Sequence, residues 1–374
     1  MSRHLRNGTT TCSYFATIHL AATLALVDIC ARLGQRAHVG KVSMDRNSPD
    51  FYIEQDTDRA IADVKTFVNT VEKEPKKASS SSGKGTTTTT TTTTGNLVTP
   101  SLIPRFAPSC SARLMRGLGD FRRGELPVHT HLSENEAECD FVGSLFPEAD
   151  CYVDVYKRAG LLHAKSYFAH CCYCDLQERT LVSKSDAGVI TCPTSNFMVG
   201  RALCDVRQWL DHGVKVGIGT DVAGGYSTSM FNAIRHVVVA SSLVAAQKND
   251  PTKRISWKEA LFLATAGSAS CLHLKTGAFM KGNFFDALIV DLDAPDSAYD
   301  VHPTTQDDTL DWLFEKFIWN GDDRNILHVY VNGIRVAGAA KTKNPNKLGG
   351  LAVGAAILTT TVALFTLTIL RRRA

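Results

Sequence analysis

Short apolar and β-branched runs alternate along this sequence with segments of helical periodicity, and this alternation limits the fold more than any other feature. Parallel strands are buried on both faces and read as nearly continuous apolar runs, so the pattern predicts an α/β protein with a parallel sheet. Helices are predicted over 21–33, 58–71, 134–145, 175–184, 202–212 and 230–247. Seven strands are predicted near Thr11, Val39, Val98, Val128, Phe168, Val189 and Val216.

A closed (β/α)8 TIM-type barrel needs an eighth strand, and the sequence before the first run is too short to supply it. We therefore expect an incomplete barrel, with about seven of the eight strands, over residues 1–275. A further helical pattern covers 257–274. Two short strand patterns with a glycine turn then predict part of a small β-sandwich appendage over 276–337.

Two segments differ from this pattern. Residues 73–96 are rich in Lys, Ser and Thr and include nine consecutive threonines, so they lack the apolar area that a core needs and are predicted to form a disordered insertion. After a predicted linker over 338–347, residues 348–370 consist only of Gly, Ala, Val, Ile, Leu, Thr and Phe. A helix of this length would reach roughly 34 Å and could cross a bilayer core of about 30 Å.

This apolar run predicts a transmembrane helix, with a buried C-terminal helix as the alternative. Because only four residues follow it, we expect a tail anchor with the preceding domain on the cytosolic side. The balance of 41 basic and 37 acidic residues, without a long basic block before the C-terminus, does not favour nucleic acid. Eleven cysteines, an odd number without a framework, favour reduced thiols in the cytosol.

Polar residues follow four of the predicted strands, at the end where barrel enzymes place their active sites. They are Arg105, His131, His170 and Asp221. His129 shares a face with His131 if the strand is regular, and two inward imidazoles could bind a metal; alternatively, one caps the strand edge and the other faces solvent. Glu134 can join this site only if the chain turns after Leu132.

The thiols that follow His170, in C-C-Y-C, lack paired zinc knuckles and are interpreted as core residues. Asp221 emerges from an apolar strand into a glycine-rich loop, nine residues before Met230, so a functional carboxylate is favoured over a helix cap. Imidazoles and a carboxylate can hold zinc and leave one position open. The combination predicts hydrolysis by a metal-activated water.

The motifs H-L-S-E-N-E, F-A-H-C-C-Y, C-P-T-S-N and G-I-G-T-D-V-A-G-G-Y-S-T-S-M resemble those of guanine deaminases in the amidohydrolase superfamily. N-G-T-T-T-C-S-Y-F-A-T-I-H, P-R-F and G-D-D-R-N-I add to the resemblance. It implies a zinc enzyme that hydrolyses guanine to xanthine and ammonia, and that could act as a homodimer. It also implies that His131 and Asp221 are zinc ligands, that His170 is a further ligand or a hydrogen-bond partner of the metal-bound water, and that Glu134, His170 and Asp221 are catalytic. The substrate contacts that it implies are Arg105, Phe106, His131, Leu132, Ser133, Glu134 and Asp221.

Three departures from the family pattern are present. The N-terminal H-x-H that supplies two further zinc ligands is absent, Thr191 stands where the family usually has His, and Cys171 stands where it usually has Gly. We therefore expect an under-coordinated metal and an incomplete or alternative gene product. The alternatives are a catalytically inactive, membrane-anchored interaction protein and an amidohydrolase that acts on another purine or a triazine.

Overall fold

The computed structural model describes residues 1–73, 97–292, 294, 297 and 309–338, together with the backbone of residues 356–357. The predicted insertion at 73–96 and the predicted linker at 338–347 lie outside this range, apart from Lys73 and Gly338. The division of the chain into domains remains a prediction.

Parallel strands form the main body of the protein, and each of the seven predicted runs contains one. Two of these strands are interrupted, so β2 and β3 continue one another, as do β4 and β5. The bounds are β1 (Thr11–Phe15), β2 (Arg36–Gly40), β3 (Val42–Ser43), β4 (Val98–Pro100), β5 (Ile103–Pro104), β6 (Val128–Leu132), β7 (Ser166–His170), β8 (Gly188–Thr191) and β9 (Lys215–Ile218).

The strands pair in chain order. One sheet runs β1-β2-β4, a second runs β6-β7-β8-β9, and β3 pairs with β5. A parallel bridge from Leu102 to Val128 joins the two halves. Within the described residues, β1 and β9 are each paired on one side only. Because all of these strands are parallel, their carboxyl ends meet at one rim.

Helices connect and cover the strands. The helices are α1 (Ser2–Arg6), α2 (Leu20–Leu33), α3 (Thr57–Lys73), α4 (Ala112–Asp120), α5 (Glu136–Leu145), α6 (Tyr152–Arg158), α7 (Leu176–Lys184), α8 (Pro193–Ser195), α9 (Val206–Asp211), α10 (Met230–Gln247), α11 (Trp257–Phe262), α12 (Ser268–Cys271) and α13 (Leu310–Asn320). Their apolar faces pack on the strands, as α3 does through Val64, Phe67 and Val68, which are at most 1% exposed.

Three predicted helices differ in their bounds, each for a local reason. The predicted helix at 134–145 begins at Glu136 because the Asn135 side chain accepts a hydrogen bond from the Glu138 amide. The helix predicted at 202–212 begins only at Val206, after its cap Asp205. The pattern over 257–274 is interrupted by a π-helical turn at Leu263–Gly267.

A separate antiparallel sheet confirms the two short antiparallel strands predicted after the parallel strands. It consists of β10 (Ala287–Val290), β11 (Ile326–Val331), β12 (Ile334–Gly338) and β13 (Ala356–Ile357), in the order β12-β11-β10-β13. A buried ion pair of 3.0 Å between Arg36 and Asp286 ties this region to β2.

The predicted transmembrane helix at 348–370 lies outside the described residues, except for Ala356 and Ile357, which form β13 and not a helix. None of the helices in the described part of the chain combines the length and the apolar character that crossing a bilayer requires. All eleven cysteines are free, and Cys171 is buried in the core as predicted.

Candidate active site

The rim at the carboxyl ends of the strands gathers four of the predicted residues. The rings of His131 in β6 and His170 at the end of β7 are stacked, with centroids 5.3 Å apart and planes inclined by 16°. Asp221, which follows β9, places Oδ2 3.9 Å from His170 Nε2, and Glu134 places Oε1 3.8 Å from His170 Nδ1. We call these four side chains the rim layer.

The backbone of this region is left-handed at four residues that are not glycine. The φ angles are 49° at Ser133, 73° at His170, 51° at Cys171 and 46° at Asp221. Such conformations are uncommon, cost about 1–3 kcal/mol each and cluster at functional sites. The left-handed Ser133 supplies the turn after Leu132 that brings Glu134 to the site.

Hydrogen bonds fix the tautomers of both imidazoles. His131 Nδ1 lies 2.7 Å from the Arg105 carbonyl oxygen, and His170 Nδ1 lies 2.8 Å from Asn196 Oδ1. Because both oxygens can only accept, each Nδ1 carries a proton, so in the neutral ring the lone pair is on Nε2. His170 Nε2 is buried and has no hydrogen-bond partner within the described residues. Metal-ligating histidines typically have this arrangement.

Burial shifts the titration of two groups in the rim layer. Desolvation, with a smaller contribution from His170, lowers the pKa of His131 to about 4, so this imidazole is neutral at pH 7. Desolvation raises the pKa of Glu134; nearby His170 opposes this change and nearby Asp221 adds to it. A carboxyl group with a raised pKa is suited to donating and accepting protons near neutral pH.

Neighbouring residues hold Glu134 in position. Its backbone amide donates to Glu138 Oε2 at 3.2 Å, and Glu138 Oε1 accepts from the Tyr152 hydroxyl at 2.8 Å. A side chain at Gly200 would place Cβ 3.0 Å from the Glu134 carbonyl oxygen, so glycine permits this close approach.

The predicted substrate residues are distributed unevenly. The Phe106 ring lies 6.3 Å from the His131 ring, near the rim layer, and the Arg105 guanidinium stands 5.0 Å above the Phe106 ring centroid. Ser133 is buried and its hydroxyl has no partner within the described residues. Leu132 belongs to the hydrophobic core, so its side chain packs behind the site.

His129 points into the barrel like His131 but belongs to a deeper group of side chains. Its Nδ1 lies 3.0 Å from Ser13 Oγ, which lies 2.8 Å from the Tyr167 hydroxyl, and that hydroxyl lies 3.2 Å from His38 Nδ1. We call Ser13, His38, His129 and Tyr167 the inner layer. His129 therefore neither caps the strand edge nor joins the rim layer.

Sequence reasoning assigned no role to Asn196, Tyr156 or Phe15. Asn196 bonds His170, and the Tyr156 hydroxyl donates to the His131 carbonyl oxygen at 2.7 Å. The Phe15 ring contacts the His131 ring edge-on, with centroids 4.7 Å apart. For these three residues, the one sequence signal of a functional role was that Asn196 belongs to the motif C-P-T-S-N.

A complete metal centre is not formed by these side chains. Among residues 1–73, 97–292 and 309–338, no three His, Cys, Asp or Glu side chains stand close enough together to hold one metal ion. The donor chemistry nevertheless fits zinc, because His131 and His170 each keep an Nε2 lone pair and His170 Nε2 faces Asp221. The predicted ligand triad therefore remains a prediction.

The parallel α/β fold, with polar side chains at the carboxyl rim, is that of a known family. The amidohydrolase family model matches residues 1–336, and the chain belongs to this family. Its relatives include a probable guanine deaminase of Schizosaccharomyces pombe, 36% identical over 93% of this chain and 64% of the relative. The guanine deaminase of Dictyostelium discoideum is 37% identical over 90% of this chain and 70% of the relative.

A solved structure of a guanine deaminase is also similar to this chain. The guanine deaminase of C. acetobutylicum, with guanine bound in its active site, is 32% identical and superposes with a TM-score of 0.78 over 90% of this chain and 73% of its own. The predicted resemblance to guanine deaminases is confirmed. The chain spans about two thirds of the length of the two curated relatives.

Proposed function

We propose that this protein is a guanine deaminase, which hydrolyses guanine to xanthine and ammonia. The observation that carries the proposal is the identity of 36–37% to guanine deaminases over at least 90% of the chain. The rim layer agrees with it because it combines the neutral imidazole of His131, the imidazole of His170, the carboxyl group of Asp221 and the Glu134 carboxyl group, whose pKa is raised. A substrate with a ring nitrogen next to the carbon that bears the amino group needs such a set of proton donors and acceptors.

Zinc is the metal that we propose for this site, held by His131, His170 and Asp221. When bound, it would supply Lewis acidity and lower the pKa of a water molecule. Asp221 would accept a proton from the water as it adds to the carbon bearing the amino group, and Glu134, in its neutral form, would donate a proton to the adjacent ring nitrogen. Asp221 would then pass its proton to the amino group, which leaves as ammonia, while Glu134 takes back the proton of the new hydroxyl group as the carbonyl of xanthine forms.

Phe106 and Arg105 would bind the base. The Phe106 ring lies at the edge of the rim layer and offers an apolar face to a planar purine. The Arg105 guanidinium can donate hydrogen bonds to purine acceptors once it turns from the Phe106 ring and from Met44 Sδ, which is 3.9 Å from its Nη1. Leu132 and Ser133 support these groups through the backbone of the turn.

Purified full-length protein with added zinc should convert guanine to xanthine, which can be followed by chromatography. In Glu134→Gln, the rate should fall by about 10²–10⁴-fold because the proton donor is lost. Glu136→Gln is the matched control, since Glu136 is exposed on α5 two residues away. Failure of the wild-type protein to act on guanine, with retained folding, would favour the inactive interaction protein. Turnover of another purine or a triazine alone would favour an amidohydrolase with that other substrate.

Zinc binding and membrane attachment are separate parts of the proposal. We also propose from the apolar sequence of 348–370 that this segment attaches the protein to a membrane. Recovery of the protein in carbonate-washed membranes, and its release when 348–374 are removed, would support attachment. The homodimer likewise remains a proposal, which sedimentation can test.

A further inference from the structure

One turn of the chain lies close to three residues of the rim layer, His170, Glu134 and Asp221. This turn follows β8 and consists of α8 and the π-helical segment Asn196–Gly200. Asn196 is hydrogen-bonded to His170, and Gly200 lies close to Glu134. Ser195 lies close to Asp221, since a Cβ atom added at Gly224 would be 2.7 Å from Ser195 Oγ and 2.8 Å from Asp221 Oδ2. π-helical turns occur frequently at functional sites.

Asn196 makes the most specific of these contacts. It is 1% exposed, and its Oδ1 accepts the Nδ1–H of His170 at 2.8 Å. Glu134 Oε1 is the competing acceptor, at 3.8 Å from the same nitrogen. Because the amide lies closer, it takes the imidazole proton and leaves the Glu134 carboxyl group free.

We propose that Asn196 is a positioning residue that fixes the His170 tautomer, so that the Nε2 lone pair faces Asp221 and Glu134 remains free to carry protons. This inference deepens the proposed function and relies on it only where activity is measured. The predicted metal site depends on it because an imidazole can bind a metal only through an unprotonated nitrogen.

The orientation of the Asn196 amide group determines which ring nitrogen of His170 carries the proton. In the structure, Nδ2 of Asn196 is buried and has no hydrogen-bond partner within the described residues. If the amide were rotated by 180°, its NH2 group would face His170 Nδ1, which would then have to accept, and the imidazole proton would move to Nε2. Nε2 would then be unable to bind a metal.

The test is the tautomer of His170 in full-length, metal-free protein labelled with 15N-histidine, observed by long-range 1H–15N correlation spectra. The His170 signals are assigned by their loss in His170→Gln. We expect a protonated Nδ1 and an unprotonated Nε2 in the wild-type protein. In Asn196→Leu this preference should be lost, and zinc affinity should fall about 10–100-fold. Asn196→Asp, which keeps an acceptor, should restore the tautomer.

Asn325→Leu is the matched control, because Asn325 is also fully buried and donates to the Asp291 carbonyl oxygen, away from the site. A wild-type His170 protonated at Nε2 would overturn the proposal without any variant. An unchanged tautomer and zinc affinity in Asn196→Leu, or equal losses in Asn325→Leu, would also overturn it. If the tautomer behaves as expected but guanine is not hydrolysed, the proposed function fails and the role of Asn196 stands.

Discussion

The inner layer and the rim layer each contain two histidines, but they differ in whether their buried polar atoms have hydrogen-bond partners. His129 and His131 lie two residues apart on β6 and both face the barrel interior. In the inner layer, no side-chain nitrogen or oxygen of the described residues is both buried and unpartnered, whereas His170 Nε2 in the rim layer is. Buried polar groups are normally satisfied, and this unpartnered nitrogen also faces Asp221, which agrees with the proposed ligand site.

The backbone shows the same contrast. The inner-layer residues lie inside regular strands and pair in register, Ser13 with His38 and His129 with Tyr167. In and beside the rim layer, His170, Asp221 and Ser133 are left-handed. Strain and unpartnered atoms coincide at the rim, so we expect the inner layer to serve stability and the rim layer to serve chemistry.

Replacing a histidine by leucine should impair zinc binding and activity in the rim layer but only stability in the inner layer. His131→Leu should abolish guanine hydrolysis and weaken zinc binding by more than the roughly 10–100-fold that loss of an outer-shell partner costs. His129→Leu should keep bound zinc but lower the free energy of unfolding by about 1–3 kcal/mol, since Ser13 loses a buried partner. Zinc analysis and thermal unfolding of both variants measure these two effects. Loss of zinc in His129→Leu but not in His131→Leu would contradict the roles given to the two layers.

A smaller effect is expected from crowding the rim layer without removing any functional group. In Gly224→Ala, the new methyl group would meet Ser195 Oγ and Asp221 Oδ2 at 2.7 and 2.8 Å and would displace the carboxylate. A displacement of about 1 Å can cost roughly 10²-fold in rate. Gly143→Ala is the control, because a Cβ there meets nothing within 4 Å. Steady-state kinetics should show the loss in Gly224→Ala only.

The stability of the folded protein should also depend on pH. Desolvation lowers the pKa of His38 to about 4 and that of His129 to about 3, from a value of 6.5 in the unfolded chain. Because the unfolded state binds these protons first, stability is full above pH 6.5 and is lost as the pH falls towards 4. Each histidine contributes a slope of about 1.4 kcal/mol per pH unit. Unfolding at several pH values should show a shallower slope in His129→Leu than in the wild type.

The strands and the rim were predictable from the sequence because parallel strands are apolar throughout and because polar residues follow them. The helix starts at Glu136 and Val206 were missed although their caps, Asn135 and Asp205, are residues that favour this position. Asn196 could not be predicted to bond His170, because the contact joins the end of β7 to the turn after β8. The four partners of the inner layer come from four strands, and no local pattern relates them.

The Tyr156 hydroxyl connects two parts of the site that sequence places far apart. It accepts from the Ala107 amide at 3.0 Å, next to Phe106, and donates to the carbonyl oxygen of His131 at 2.7 Å. The backbone next to Phe106 and the backbone of His131 are therefore hydrogen-bonded to the same phenol. A substitution that removes this hydroxyl, such as Tyr156→Phe, would thus loosen the base-binding segment and the strand end that carries His131 at the same time.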